Sequence, residues 1–305
     1  MNYQAIAFIL LLGTMYGSNV LAARFAVSQF NSVTFTALRL SITFLVFFLF
    51  YLFRIGGRKI PTDKTLWMHS LLMGIFYDGL PITLFVSALP FLSAGVATTL
   101  FTLYPAMVAL LAHFFLPDEQ LNPRKAGGIL LALGGAALMV LLGESGLPDI
   151  RRANPLGYFL ILLTILISSA ATIYVRKNLV KYDTFDVAAI RMFSAAGFFM
   201  IFAALWNGME MNRVSTSGYL VLLMGGINSF FIALMNFFTI KRFGASKTSM
   251  ADYFTLVVAS LGGVILFGEL FTPGIVIGMG CILGGVILLN TSPAASPKTG
   301  EVMQG

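Results

Sequence analysis

The sequence predicts an all-α integral membrane protein, with ten transmembrane helices arranged as two inverted five-helix repeats. Three observations carry that expectation. The 305 residues are 58% hydrophobic and only 10% charged, with a mean hydropathy of +0.90, a composition that a water-soluble domain cannot hide from solvent. The chain divides into apolar runs of membrane-spanning length, about 20 residues for a hydrocarbon core roughly 30 Å thick. The two halves also repeat each other. Glu119, Pro123, Gly128, Gly134 and Gly135 recur 150 positions later as Glu269, Pro273, Gly278, Gly284 and Gly285. Leu71-Leu72-Met73-Gly74 recurs at an offset of 151 as Leu222-Leu223-Met224-Gly225, and Arg24 and Arg39 recur at an offset of 152 as Arg176 and Arg191. An offset that drifts by two over half a chain marks a duplicated unit.

The ten runs lie near 4–27, 34–53, 67–89, 93–115, 124–142, 155–176, 185–206, 218–240, 246–266 and 272–290. Each is continuously apolar and rich in Leu, Phe, Ala and Gly, which excludes the polar and apolar alternation of a transmembrane strand. The first lacks a basic n-region and is as long as a full span, so it reads as an uncleaved helix rather than a removed signal peptide. Residues 1–145 form the first repeat, 150–290 the second, and 291–305, rich in Pro, Ser and Ala, a disordered cytoplasmic tail. With the N-terminus in the cytoplasm, thirteen Lys and Arg fall inside and four outside (Arg24, Arg151, Arg152, Arg213), with Arg39 and Arg191 within spans. The positive-inside rule therefore puts both termini in the cytoplasm of a multi-pass protein of the inner, cell membrane. The net charge of +7 is explained by that asymmetry, and no basic patch interleaved with exposed aromatics points to nucleic acid. The single cysteine, Cys281 in the last span, excludes an intramolecular disulfide and a cysteine metal cage. No cofactor or metal is expected.

Five spans per half is an odd number, so the second copy enters the membrane from the opposite side. Inverted copies share a central cavity that can rock open to either face. Arg39 lies about one turn into its span from outside and Arg191 about one turn into its span from inside, as that geometry requires. Either serves in snorkelling and structural pairing near the interface or contacts a substrate. Spans five and ten carry Gly127, Gly128, Gly134, Gly135 and Gly274, Gly278, Gly280, Gly284, Gly285, with small-xxx-small spacing at 274/278 and 280/284 and almost no polar side chain. Such surfaces let helices approach closely, so these spans are assigned to packing.

Tyr16-Gly17-Ser18-Asn19, Arg39 at the start of span two, Pro105 in span four, the loop from Glu119 to Pro123 with its glycines, and Gly268-Glu269 to Pro273 resemble the EamA-type drug/metabolite transporter superfamily over residues 1–290. The resemblance implies ten helices in inverted repeats, a cavity lined by spans one to four and six to nine, and export as the direction of transport. Two positions depart from the family pattern: Tyr16 stands where Trp is common, and Asp118 replaces the glycine of the Gly-Glu pair.

Candidate pathway residues follow from depth and periodicity. Asp78 sits at the middle of span three, where a carboxylate is costly, at roughly 2.5–3.5 kcal/mol on insertion scales, and is flanked by Tyr77, Gly79 and Pro81. Thr248, Asp252 and Thr255 share one face of span nine by their i, i+4, i+7 spacing. Their repeat mates are Thr98, Thr102 and Pro105. The stripe is expected to line the cavity, unless its threonines bond their own helix carbonyls. Asn228 and Asn236 in span eight, Tyr104 before the kink at Pro105, and Asn19 in span one supply amide and phenol groups for a polar ligand, while the phenylalanines suit its apolar part. His69 and His113, isolated near span ends, read as structural.

Two carboxylates at membrane depth without lysine favour a positively charged substrate or co-ion, a proton or an ammonium group. The function expected is transport of small amphiphilic metabolites such as amino acids or amines. An embedded enzyme lacks support, because no HExxH occurs and Gly143-Glu144-Ser145-Gly146 lacks the closing glycine of GxSxG. A lipid flippase needs a lateral opening lined by polar residues.

Overall fold

The computed structural model describes residues 3–116, 121–149, 153–206, 214–243 and 250–290. It is helical, with no strand among the described residues. Helices α1 (Tyr3–Ala26) and α2 (Ser32–Leu52) are followed by α3 (Lys64–Met73), a π-helical turn (Gly74–Gly79) and α4 (Leu80–Ala88) in one continuous stretch. Then come α5 (Ala94–Phe101), α6 (Tyr104–Phe115), α7 (Pro123–Leu142), α8 (Pro155–Asn178), α9 (Thr184–Trp206), α10 (Thr216–Phe243), α11 (Met250–Phe267) and α12 (Pro273–Asn290). Eight helical stretches are long and apolar enough to cross a membrane, and two shorter apolar helices, Ala251–Phe267 and Pro273–Leu289, follow them. The tail after Asn290 lies outside the described residues.

Proline sets the two interruptions. Pro81 has no N–H to give the Tyr77 carbonyl, so the ladder widens by one residue and Leu80 N–H reaches back five positions to the Ile75 carbonyl. Pro105 similarly cannot bond the Phe101 carbonyl; α5 ends there, and α6 restarts after Thr102 and Leu103. Other ends carry ordinary caps. Asn31, Asp63, Ser93, Asn122 and Asn154 each accept a backbone N–H at a helix start.

The most extensive helix–helix contact is that of α7 with α12, which cross antiparallel. A Cβ on Gly128 would lie 2.6 Å from the Gly285 carbonyl, and one on Gly135 would lie 2.7 Å from the Gly278 carbonyl. Gly127, Gly134 and Gly280 have nothing within 4 Å of that position. The seam thus runs through residues seven apart, 128/135 and 278/285, and not through the 280/284 pair that the sequence suggested. Seven residues is close to two helical turns, which keeps both glycines on the contacting face. Helix α2 meets α9 antiparallel too, through Phe47 and Phe185 at 5.0 Å and Phe44 and Phe193 at 5.3 Å between ring centroids. Helix α1 packs on α10 and α11, α8 on α4, α5 and α6, α10 on α2, and α9 on α3 and the π-turn. Large apolar side chains such as Leu141, Leu205 and Ile265 point away from the bundle, each at least 75% exposed, as a lipid-facing surface requires.

Candidate functional site

Three aromatic hydroxyls and one carboxylate from four elements converge in the interior. Tyr16 of α1 lies within electrostatic reach of Tyr77 of the π-turn and Asp252 of α11, and Tyr104 of α6 within reach of all three. The breaks described above place two of them: the widened turn displays Tyr77, and the restart of α6 puts Tyr104 at its first residue. Tyr104 is held by its ring stacked on Phe101, 5.5 Å between centroids, and by a 2.6 Å hydrogen bond between its hydroxyl and Thr172 Oγ1. The Asp252 carboxylate forms no ion pair with a described residue.

Asp78 is not a lone carboxylate. Arg191 Nε lies 2.9 Å from its Oδ2, off the hydrogen-bond direction, and Arg191 Nη2 donates to its Oδ1 at 3.4 Å. The same guanidinium sits over the Tyr77 ring, 4.3 Å from its centroid. Of the two acids at membrane depth, one is thus neutralised, by an arginine from α9 and not by a lysine. A buried charge is tolerated when an opposite charge and hydrogen bonds replace water.

A second polar cluster ties α1 and α2 to α10. Arg39 Nε donates to Ser229 Oγ at 3.1 Å, Asn19 Nδ2 donates to the same oxygen at 3.2 Å, and Asn228 Nδ2 reaches Asn19 Oδ1 at 3.2 Å and the Met15 carbonyl at 2.9 Å. The threonines behave differently. Thr98 donates to the Ala94 carbonyl, Thr102 to that of Thr99, and Thr255 to those of Ala251 and Gly13. Their hydroxyls are thus taken up by backbone, and Thr255 joins α11 to α1. Asn236 is half-buried in α10. Thr248 lies outside the described residues, as do Asp118 and Glu119. His69 Nδ1 pairs with the Tyr174 hydroxyl at 2.6 Å, and His113 Nδ1 accepts the Leu121 N–H at 3.2 Å.

One end of the bundle carries a network that sequence reasoning named only in parts. Glu269, 3% exposed, accepts from Arg24 Nε at 3.1 Å and from the backbone N–H groups of Ala94 and Gly95 at 2.8 and 3.3 Å. It therefore caps α5 from the loop between α11 and α12, using the unpaired N–H groups that every helix start leaves. Arg24 Nη1 also bonds the Leu89 carbonyl at 3.1 Å. The repeat itself was the available signal, since Glu269 and Arg24 both have mates in the opposite half.

Two cavities form away from these residues. An apolar groove of about 200 Å³ lies between α6, α7 and α8, lined by Met107, Leu110, Leu133 and Leu162 among others. A smaller one, about 140 Å³, borders Arg58, Asp183 and Phe185.

The EamA-like transporter family matches residues 4–141 and 155–291. The uncharacterized transporter YoaV of Bacillus subtilis (strain 168) is 25% identical over 280 residues, covering 91% of this chain and 93% of that protein. An uncharacterized transporter of Archaeoglobus fulgidus is 24% identical over 281 residues, covering 90% and 95%. A solved crystal structure is similar at a TM-score of 0.65 and 22% identity, over 95% of this chain and 98% of that one, a likeness of fold.

Proposed function

The chain belongs to the EamA-like transporter family, and on that premise we propose that it carries small amphiphilic metabolites, amino acids, amines or related compounds, by alternating access around the Tyr16, Tyr77, Tyr104 and Asp252 cluster. Membership makes it a multi-pass membrane transporter and not an enzyme. Its working direction is export, and a proton is its co-ion.

The observation that carries the reading is Asp252. A carboxylate among three tyrosines, on elements from both halves and without a cationic partner among the described residues, is a costly arrangement in a bilayer unless a ligand or proton completes it. The aromatic rings supply an apolar and cation-attracting lining.

Ten spans in two inverted repeats, 1–145 and 150–290, are the frame for this mechanism. Two features support it. Gly128 meets Gly285 while Gly135 meets Gly278, so the contact maps onto itself when the halves are exchanged, and the equivalent helices run in opposite senses. The packing also exchanges: α1 on α10 and α11 corresponds to α8 on α4 and α5–α6. The lysine and arginine distribution favours cytoplasmic termini in an inner membrane. In that orientation the Arg24–Glu269 network lies at the outer end. A lipid headgroup finds no polar lining in the groove between α6, α7 and α8, which weighs against a flippase.

Counterflow of radiolabelled amino acids and amines in proteoliposomes tests the reading, with wild type and Asp252→Asn compared with and without a pH gradient. Wild-type exchange that the gradient drives, and that Asp252→Asn loses, is the expected result. Equal rates for the two proteins remove Asp252 from the mechanism.

A further inference from the structure

Arg39 and Arg191 occupy matching places in α2 and α9, yet the helix facing each treats it differently. Arg191 meets the Asp78 carboxylate at 2.9 Å. Arg39 meets the Ser229 hydroxyl at 3.1 Å. The surroundings otherwise correspond. The backbone at Gly74 lies against the Arg191 carbonyl and the Ser194 side chain, and the backbone at Gly226 against the Arg39 carbonyl and the Ile42 side chain. Each of these mates is separated by 152 positions (226 minus 74, 191 minus 39, 194 minus 42). Asp78 and Ser229 are separated by 151, and the difference is the one extra residue held by the π-turn Gly74–Gly79, whereas α10 is α-helical throughout. Ser229 therefore stands where the other half carries its counter-ion.

The consequence is an unbalanced guanidinium. Among the described residues no carboxylate forms an ion pair with Arg39. A guanidinium has five N–H groups in a planar fork, and one of them is engaged by Ser229. Asn19 and Asn228 beside it are neutral and bond each other, Met15 and Ser229. A Cβ at Gly225 would stand in ordinary van der Waals contact with Asn19 Oδ1 at 3.8 Å and Arg39 Cδ at 3.9 Å, so the backbone of α10 does not crowd the arginine stem. A fork that faces a carboxylate in one half and lacks one in the other is shaped for a carboxylate that arrives from outside.

We propose that Arg39, oriented by Ser229 and Asn19, is an anion subsite that binds the carboxylate group of the transported solute, the solute taking the place that Asp78 fills beside Arg191. The assignment rests on the carrier reading and adds to it: solutes bearing a carboxylate are bound better than the matching compounds without one.

Ser229→Asp is the discriminating variant, because it supplies Arg39 with an internal counter-ion copied from the other half. The thermal midpoint of purified full-length protein is measured in phenylalanine, in phenylacetate and in phenethylamine, each against sodium chloride of equal ionic strength. Wild type rises more with the two carboxylates than with phenethylamine. Ser229→Asp keeps a midpoint at or above the wild-type value without ligand, which shows that it folds, and loses the carboxylate response. Loss of a charge-assisted pair corresponds to about a 10- to 100-fold weakening of affinity for the carboxylates. Arg39→Gln loses the response as well. The proposal is overturned if phenethylamine stabilises wild type as much as the carboxylates do, if no carboxylate stabilises it, or if the response persists in Ser229→Asp. Counterflow on the same preparations separates the two claims. Exchange of an amine without any carboxylate effect leaves the carrier and removes the subsite; a Ser229→Asp-sensitive carboxylate response without exchange of any solute leaves the subsite and removes the carrier.

Discussion

Replacing Glu269 by Gln keeps the side-chain shape and removes its charge at the point where three donors meet. In the native protein the carboxylate accepts Ala94 N–H at 2.8 Å, Gly95 N–H at 3.3 Å and Arg24 Nε at 3.1 Å. A glutamine offers one acceptor oxygen, and its amide N–H₂ must face at least one of those donors. Hydrogen bonds to a charged group contribute about 1.5–3 kcal/mol each. Arg24 retains the Leu89 carbonyl and has a side chain 19% exposed, so its share is discounted for residual solvation. The remainder is about 3 kcal/mol, which corresponds to a fall of roughly 6–12 °C in the thermal midpoint. The assay is heating of purified protein in detergent followed by size-exclusion chromatography of what remains folded. Glu144→Gln is the control, since that carboxylate holds the Thr272 hydroxyl at 2.6 Å and caps no helix; its effect is expected below about 1 kcal/mol. Equal falls for the two variants would show that the buried cap on α5 contributes nothing beyond an ordinary side-chain contact.

Three further outcomes are expected. Gly135→Ala places a methyl 2.7 Å from the Gly278 carbonyl and the Cys281 Cβ and should cost about 1–3 kcal/mol, whereas Gly134→Ala, with nothing within 4 Å, should be neutral or slightly stabilising; thermal midpoints that move alike contradict the seam. Asp78→Ser leaves Arg191 buried without a counter-ion and should cost about 3–5 kcal/mol, and adding Arg191→Gln should recover much of that loss; strict additivity of the two changes in thermal unfolding would mean that the pair is not coupled. Tyr104→Phe removes the bond to Thr172 but keeps the stack on Phe101, so binding of a transported amine should weaken by less than the effect of Asp252→Asn in the same counterflow assay.

Helix existence was legible because burial in lipid demands long apolar runs: the run 93–115 became α5 and α6 over Ala94–Phe115, and 124–142 became α7 over Pro123–Leu142. The kink at Pro105 was legible for the same local reason. The π-turn was present in the sequence only as a trace. Repeat offsets fall from 152 at Arg39 to 150 at Glu119, on either side of the turn. The Leu71–Gly74 match at 151 is one residue out of register with the structure, where Gly74 and Gly226 are mates 152 apart and the widened turn then brings Asp78 and Ser229 to 151. Tertiary partners were not legible. Arg191 lies 113 positions from Asp78, so spacing along one helix cannot reveal their pairing. The threonine stripe had the right periodicity, but period alone does not say whether a hydroxyl faces a cavity or bonds the carbonyl of the preceding turn, which is what Thr98 and Thr255 do. Tyr16 entered only as a departure from the family pattern, since nothing local marks a tyrosine that comes within electrostatic reach of Tyr77, Tyr104 and Asp252 from three other elements.

The central claim is that the ring of Tyr16, Tyr77, Tyr104 and Asp252 is reached in turn from the two faces of the membrane. It is tested most directly by placing a cysteine at Tyr16 in a Cys281→Ser background and timing its reaction with a membrane-impermeant thiol reagent in right-side-out and inside-out vesicles. Alternating access predicts reaction in both orientations, with a transported solute slowing one and hastening the other. Reaction from a single face, whatever solute is present, would contradict it.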